Sequence, residues 1–169
     1  MIYVCNLQDL ASHAETVKPS HLVSLVSEDE QPATPTGMLV ECHLRVVIHD
    51  ISEPLSGHIL ADEQHIADLI AFVRAWPHDA APLLIHCMAG ISRSMAAALI
   101  ALVTKAGGRE QEAAEQVRRA APHAYPNRRM IALADHLLQC DGRLIAAREA
   151  MGPPRLTFSG PLVALPLLA

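Results

Sequence analysis

Leu83-Leu84-Ile85-His86-Cys87-Met88-Ala89-Gly90-Ile91-Ser92-Arg93-Ser94 joins an apolar run to a glycine-containing loop and the start of a second apolar pattern. Leu83 to His86 is a short apolar run of the kind a buried strand requires. From about Arg93 to Ala106 the chain carries Ala96, Leu99, Ile100 and Val103 on one face, which predicts a helix, and Gly107-Gly108 ends it. A strand, a glycine-containing loop and a helix in immediate succession form one step of an α/β fold. Cys87 then lies where a strand ends, and ligands of open α/β sheets bind outside the carboxyl ends of their strands.

Upstream, Met1 to Cys5 reads as a strand, with Asn6 capping a helix through about Val17 and Asp9 at its third position. His21 to Ser27 and Leu44 to His49 are two more strands, separated by an acidic, proline-containing loop from Glu28 to Gly37. Asp50 to Gly57 is the loop leaving the third strand. Ile66, Leu69, Ile70, Val73 and Trp76 make the one-sided pattern of a helix over Asp62 to Trp76. Downstream, the pattern predicts a polar helix from Glu110 to Ala120, then a long one from Asn127 into the 140s with Met130, Leu133, Ala134, Leu137 and Leu138 inward. Strands alternating with helices predict an α/β fold: a central, mostly parallel sheet flanked by helices, with an anion-binding loop between a strand and a helix N-terminus. Residues 1–150 read as one domain, and 151–169 as a proline- and leucine-rich tail that packs irregularly on the body or is partly disordered.

The chemistry follows from position. The start of a helix presents free N–H groups and partial positive charge, which attract an anion and favour a thiolate over a thiol. Gly90 lets the loop curl so that successive N–H groups converge. Arg93 adds a planar fork matched to two oxygens of a tetrahedral oxyanion. A nucleophile, a nest of amides and a cationic clamp thus share one short segment.

His86-Cys87, Gly90 and Arg93-Ser94, in this spacing, resemble the His-Cys-x-x-Gly-x-x-Arg-Ser signature of the protein tyrosine phosphatase superfamily, in its dual-specificity-like branch. Arg45-Val46-Val47-Ile48-His49-Asp50 resembles the family strand that ends in the general acid, and Pro126-Asn127 the family turn beside the pocket. The likeness covers roughly Met1 to Gln139. It implies a phosphoric monoester hydrolase working through a phosphocysteine intermediate. Cys87 would be the nucleophile, and Arg93 with the backbone N–H groups of Met88, Ala89, Gly90, Ile91, Ser92 and Arg93 would bind the phosphate. Ser94 would donate a hydrogen bond to the departing sulfur, and Asp50 would be the acid. Glu53 and Asp62 compete for that last role, but Asp50 directly follows a strand that can support it. His86, next to Cys87 on a strand, should point to the opposite face and serve a structural purpose.

The remaining expectations are broader. With 51% apolar and 18% charged residues, the composition is that of a globular chain. A net charge of −5 and the lack of any basic stretch argue against nucleic acid as a partner. The start lacks the pattern of a signal peptide, the run from Met95 to Val103 is too short to span a bilayer, and four widely spaced cysteines suit a reducing cytoplasm. A membrane partner is therefore not expected. Cys42-His43 and the pair His136 and Cys140 have spacing that zinc could use, yet neither belongs to a four-ligand pattern, and the implied mechanism needs no metal or cofactor. The expected substrate is a protein phosphotyrosine, with phosphoserine, phosphothreonine and small phosphoesters as further candidates. Uncharged Met88, Ala89, Ile91 and Ser92 disfavour phosphoinositides, whose phosphatases resemble this loop but tend to place lysine there. With 2 Tyr and 2 Phe, no aromatic loop for gripping a phosphotyrosine ring is evident. Two alternatives are a non-catalytic phosphate-binding module and an arsenate-reductase-like thiol enzyme.

Overall fold

The computed structural model describes residues 1–77, 79 and 81–168; Ala169, the last residue of the tail, lies outside them. Five strands, β1 (Ile2–Asn6), β2 (His21–Val26), β3 (His43–Val47), β4 (Leu83–Cys87) and β5 (Val163–Leu165), form one sheet in the order β3-β2-β4-β1-β5. The first four strands pair in parallel, and β5 joins the outer edge of β1 antiparallel. The α/β architecture with a mostly parallel sheet matches expectation, and β4, which carries Cys87, is its central strand.

Alternation along the strands sorts side chains onto two unequal faces. Ile2, Val4, Val23, Leu25, Leu83, Ile85 and Cys87 face the larger core, together with helices α2 (Glu63–Ala75), α3 (Arg93–Ala106), α4 (Glu110–Ala120), α5 (Arg128–Leu137) and α6 (Arg143–Ala150). Cys5, Leu22 and Leu84 face a thinner layer under α1 (Leu10–Val17). Every residue of α3 from Arg93 to Val103 is buried, so this helix is the centre of the thick layer. Small side chains at Ala96, Ala97, Ala98 and Ala101 let the sheet and neighbouring helices approach it closely.

Three expectations about elements need correction. Asn6 does not cap α1: its Oδ1 accepts from Asp9 N at 2.8 Å, a turn at the strand end, and the helix starts only at Leu10. The long C-terminal helix is two helices. The chain breaks after Leu137 because Gln139 and Asp141 adopt positive φ, and Asp135 then caps α6 by accepting from Gly142, Leu144 and Ile145 N. Three backbone donors at the start of α6 thus meet one buried carboxylate. Finally, the tail is irregular only to Leu162, after which it supplies strand β5.

Candidate active site

The segment from Cys87 to Arg93 forms a tight loop whose carbonyls point outward into partners supplied by the rest of the fold. Met88 O accepts from Leu7 N at 3.2 Å, Ala89 O from Gly160 N at 2.8 Å and Ile91 O from Tyr125 N at 2.9 Å. Ser92 O accepts from Ala96 N at 2.9 Å and Asn127 N at 3.4 Å. His123 packs its ring against the Gly90 carbonyl, outside good hydrogen-bond geometry. Because a planar trans peptide sets C=O and the next N–H in opposite directions, outward carbonyls turn the following N–H groups inward. Among the described residues, none of the N–H groups from Met88 to Ser92 donates to a protein acceptor. N–H groups turned inward in this way can donate together to one anion.

Gly90 has φ +71°, and a Cβ there would stand 3.0 Å from Cys5 C and 3.1 Å from Asn6 N. Only glycine meets both the backbone conformation and the close passage of β1. Arg93, at the first turn of α3, is 6% exposed and donates from Nη1 to Ile48 O at 2.8 Å. Among the described residues its Nε has no acceptor, which leaves that N–H available to an oxyanion. Cys87 is 1% exposed, and its Sγ lies 3.1 Å from Ser94 Oγ, within reach of a hydrogen bond to sulfur.

Asp50 follows β3 by three residues, two beyond the carbonyl that holds Arg93. Its Oδ1 accepts from Ser92 Oγ at 2.7 Å and from Asn127 Nδ2 at 3.0 Å. Asn127 in turn caps α5 through Arg129 N and Met130 N, so the amide that holds Asp50 is itself held by a helix start. The two competing carboxylates are engaged elsewhere. Asp62 caps α2 through His65 N at 3.0 Å, and that bond holds its carboxyl below the usual range. Glu53 pairs at 2.9 Å with Arg128, both side chains largely in water. Asp50, Ser52, Ser92, Tyr125, Asn127 and Arg128 line a cavity of about 410 Å³ on this flank of the loop.

His86 faces away from the loop, as alternation predicts, and joins a chain of buried polar side chains. Its Nε2 lies 2.6 Å from Ser24 Oγ, and Ser24 Oγ lies 2.7 Å from His43 Nε2. His43 Nδ1 continues the chain to Thr34 Oγ1 at 3.0 Å. Burial, first of all, lowers the pKa of His86 and of His43 to about 4 each, with nearby positive charge adding to the effect. Both rings are therefore neutral at pH 7, and the Ser24 hydroxyl donates to one while accepting from the other. Sequence reasoning missed this network, although a serine inside the apolar run His21 to Val26 is its visible trace. It also missed Gly160, which lies beyond any periodic pattern. Cys5 is opposite His86 in the β1–β4 register and faces the thin layer, and burial, with Cys87 and Asp9 nearby, raises its pKa to about 12.

Comparison with known proteins adds an independent line. The protein-tyrosine phosphatase family model matches residues 56–129, which contain the whole loop and Asn127 but not Asp50. Among solved structures, human DUSP28 aligns with a TM-score of 0.64 at 20% identity over 82% of this chain and 88% of its own. Cydia pomonella PTP-2 phosphatase gives 0.64 at 19% identity over 80% and 84%. The human tyrosine phosphatase-like serine/threonine/tyrosine-interacting protein gives 0.64 at 14% identity over 83% and 92%. Identities this low establish a shared fold alone. No curated protein matches the chain by sequence. Among the described residues, no helix is long and apolar enough to cross a membrane, and no three His, Cys, Asp or Glu side chains gather to hold a metal ion. The loop signature thus lies inside the segment that the protein-tyrosine phosphatase family model matches, under half of the chain, and the solved structures share the fold over most of its length.

Proposed function

We propose that this protein is a cysteine-dependent phosphatase of phosphomonoesters, acting on protein phosphotyrosine and also accepting phosphoserine and phosphothreonine. The observation that carries the reading is the convergence of unpaired loop N–H groups, the free Arg93 Nε and the Cys87 sulfur on one cradle. Cys87 Sγ attacks phosphorus, the phosphorus–oxygen bond to the leaving group breaks, and a phosphocysteine forms. The loop amides and Arg93 stabilise the equatorial oxygens through this step. Asp50 gives its proton to the departing oxygen, then takes one from the water that hydrolyses the phosphocysteine. Ser94 donates to the sulfur as it leaves as thiolate. Cys87→Ser should abolish turnover of an aryl phosphate while vanadate still binds, because the cradle is left in place. Turnover near the wild-type rate in that variant would remove Cys87 from the mechanism.

A further inference from the structure

The cradle accounts for the phosphate, but the two flanks of the loop differ in a way that concerns the rest of a substrate. On the Ser92 side lies the cavity that holds Asp50 and Arg128. On the other side, Leu7, Gln8, Met88, Ala89, Phe158 and Ser159 line a second cavity of about 340 Å³. None of these residues is charged, and two of them directly follow the nucleophile. Phe158 is 102% exposed and Met88 41%, so large apolar side chains stand in water beside the loop. Leu156 is likewise exposed nearby in the chain.

Phe158 is held there by the clamp two residues later. Gly160 N donates to Ala89 O at 2.8 Å, and Gly160 O accepts from Asn6 Nδ2 at 3.1 Å. A Cβ on Gly160 would stand 2.6 Å from His123 Nε2 and 2.8 Å from Gly90 O, so only glycine lets the tail run this close to the loop. Thr157 Oγ1 donates to Ser159 O at 2.9 Å, which folds the segment back on itself, and β5 anchors the end of the tail to β1. The tail is therefore built into the loop rather than laid on the surface.

We infer that the C-terminal segment is one wall of the substrate site, where Phe158 and Met88 hold an apolar side chain adjacent to the phosphorylated residue of a tyrosine-phosphorylated peptide. The inference rests on the phosphatase reading for the position of the phosphate. The uncharged lining offers no cation to a second phosphate. Its continuity with Met88 and Ala89 places the occupant next to the phosphate and not at a remote docking surface.

The test uses the full-length Cys87→Ser protein, which would bind without turnover, and phosphotyrosine peptides that differ only in having leucine or glycine beside the phosphotyrosine. Fluorescence anisotropy should show the leucine peptide binding about 10-fold more tightly, the scale of a small apolar difference in a hydrophobic pocket. Adding Phe158→Ala should remove most of that preference, and Phe158→Trp should restore it. Because Phe158 is outside the core, neither change threatens the fold. Equal affinity for the two peptides, no binding of either, or a preference unaffected by Phe158→Ala overturns the inference. Turnover of an aryl phosphate by the wild-type protein tests the phosphatase reading separately. A peptide preference that persists without such turnover supports the wall and rejects the hydrolysis.

Discussion

Among the four cysteines, burial separates Cys87 from the others less than its surroundings do. Cys5, Cys87 and Cys140 are all buried and Cys42 is half-buried, yet only Cys87 sits in a ring of inward N–H groups beside an arginine. Burial pushes the thiols of Cys5 and Cys140 up to about 12, so neither supplies thiolate near neutrality. Peroxide should therefore inactivate the protein through Cys87, giving sulfenic acid or a sulfenamide with the next backbone nitrogen. A disulfide with Cys5 is not expected, because that side chain faces the other side of the sheet. Mass spectrometry after peroxide, with and without vanadate, checks this; uniform oxidation without protection by the oxyanion would refute it. Asp50 makes the second residue-scale prediction. Asp50→Asn should slow hydrolysis of esters with poor leaving groups by about 10²–10⁴-fold, and those with good leaving groups less. Phosphoenzyme formation in single-turnover measurements reads the difference, and equal slowing of both would return the role to Glu53 or Asp62.

Loop, strand and helix act together at the next scale. The cradle depends on carbonyl partners from four separate places: Leu7 after β1, Tyr125 and Asn127 before α5, Ala96 within α3 and Gly160 before β5. Gly90 is where this arrangement tolerates least change, since its φ is positive and β1 stands against it. Gly90→Ala should displace the loop from β1 and misdirect its N–H groups. The expected loss is about 10²-fold in kcat, comparable to removing one oxyanion donor, accompanied by weaker vanadate binding. Circular dichroism should remain near wild type, because the glycine belongs to no strand or helix. Vanadate affinity and kcat unchanged in this variant would mean that the loop amides are not the anion site.

For the whole molecule, the buried pair of imidazoles makes stability depend on pH. His43 and His86 have pKa values of about 4 in the fold against 6.5 for an exposed ring. Between those values the unfolded chain binds more protons, so stability is fully present above pH 6.5 and falls as pH drops toward 4. At pH 5 the pair should cost on the order of 2–4 kcal/mol relative to pH 7, allowing for the hydroxyl they share. Cys5 and Cys140 act at the other end: their protonated folded forms contribute stability below pH 9 that is lost as pH rises toward 12. Urea unfolding at pH 5, 7 and 10 checks both arms. A flat acid arm would show that the two rings are already protonated in the native state.

The features legible along the chain are local. The order of residues from Leu83 to Ala106 dictates a strand, a glycine turn and a helix start, and with them the meeting of a cysteine, a run of amides and an arginine. Those parts are neighbours along the chain, and the bounds Arg93–Ala106 and Glu110–Ala120 agree with the apolar period and the terminating glycines. Which carboxylate reaches the loop depends on the folded chain, because Asp50, Ser92 and Asn127 meet across separations of 42 and 77 residues. Folding likewise decides that the pattern from Asn127 onward breaks into two helices, since the caps offered by Asp135 exist only once the chain has turned. The tail is the clearest case. Nothing periodic marks Gly160 or Phe158, and their place is set by an open edge on β1 and a carbonyl at Ala89 that needed a donor. Pairings of that kind are satisfied by whatever chain arrives there, so they leave no repeat in the sequence that supplies them.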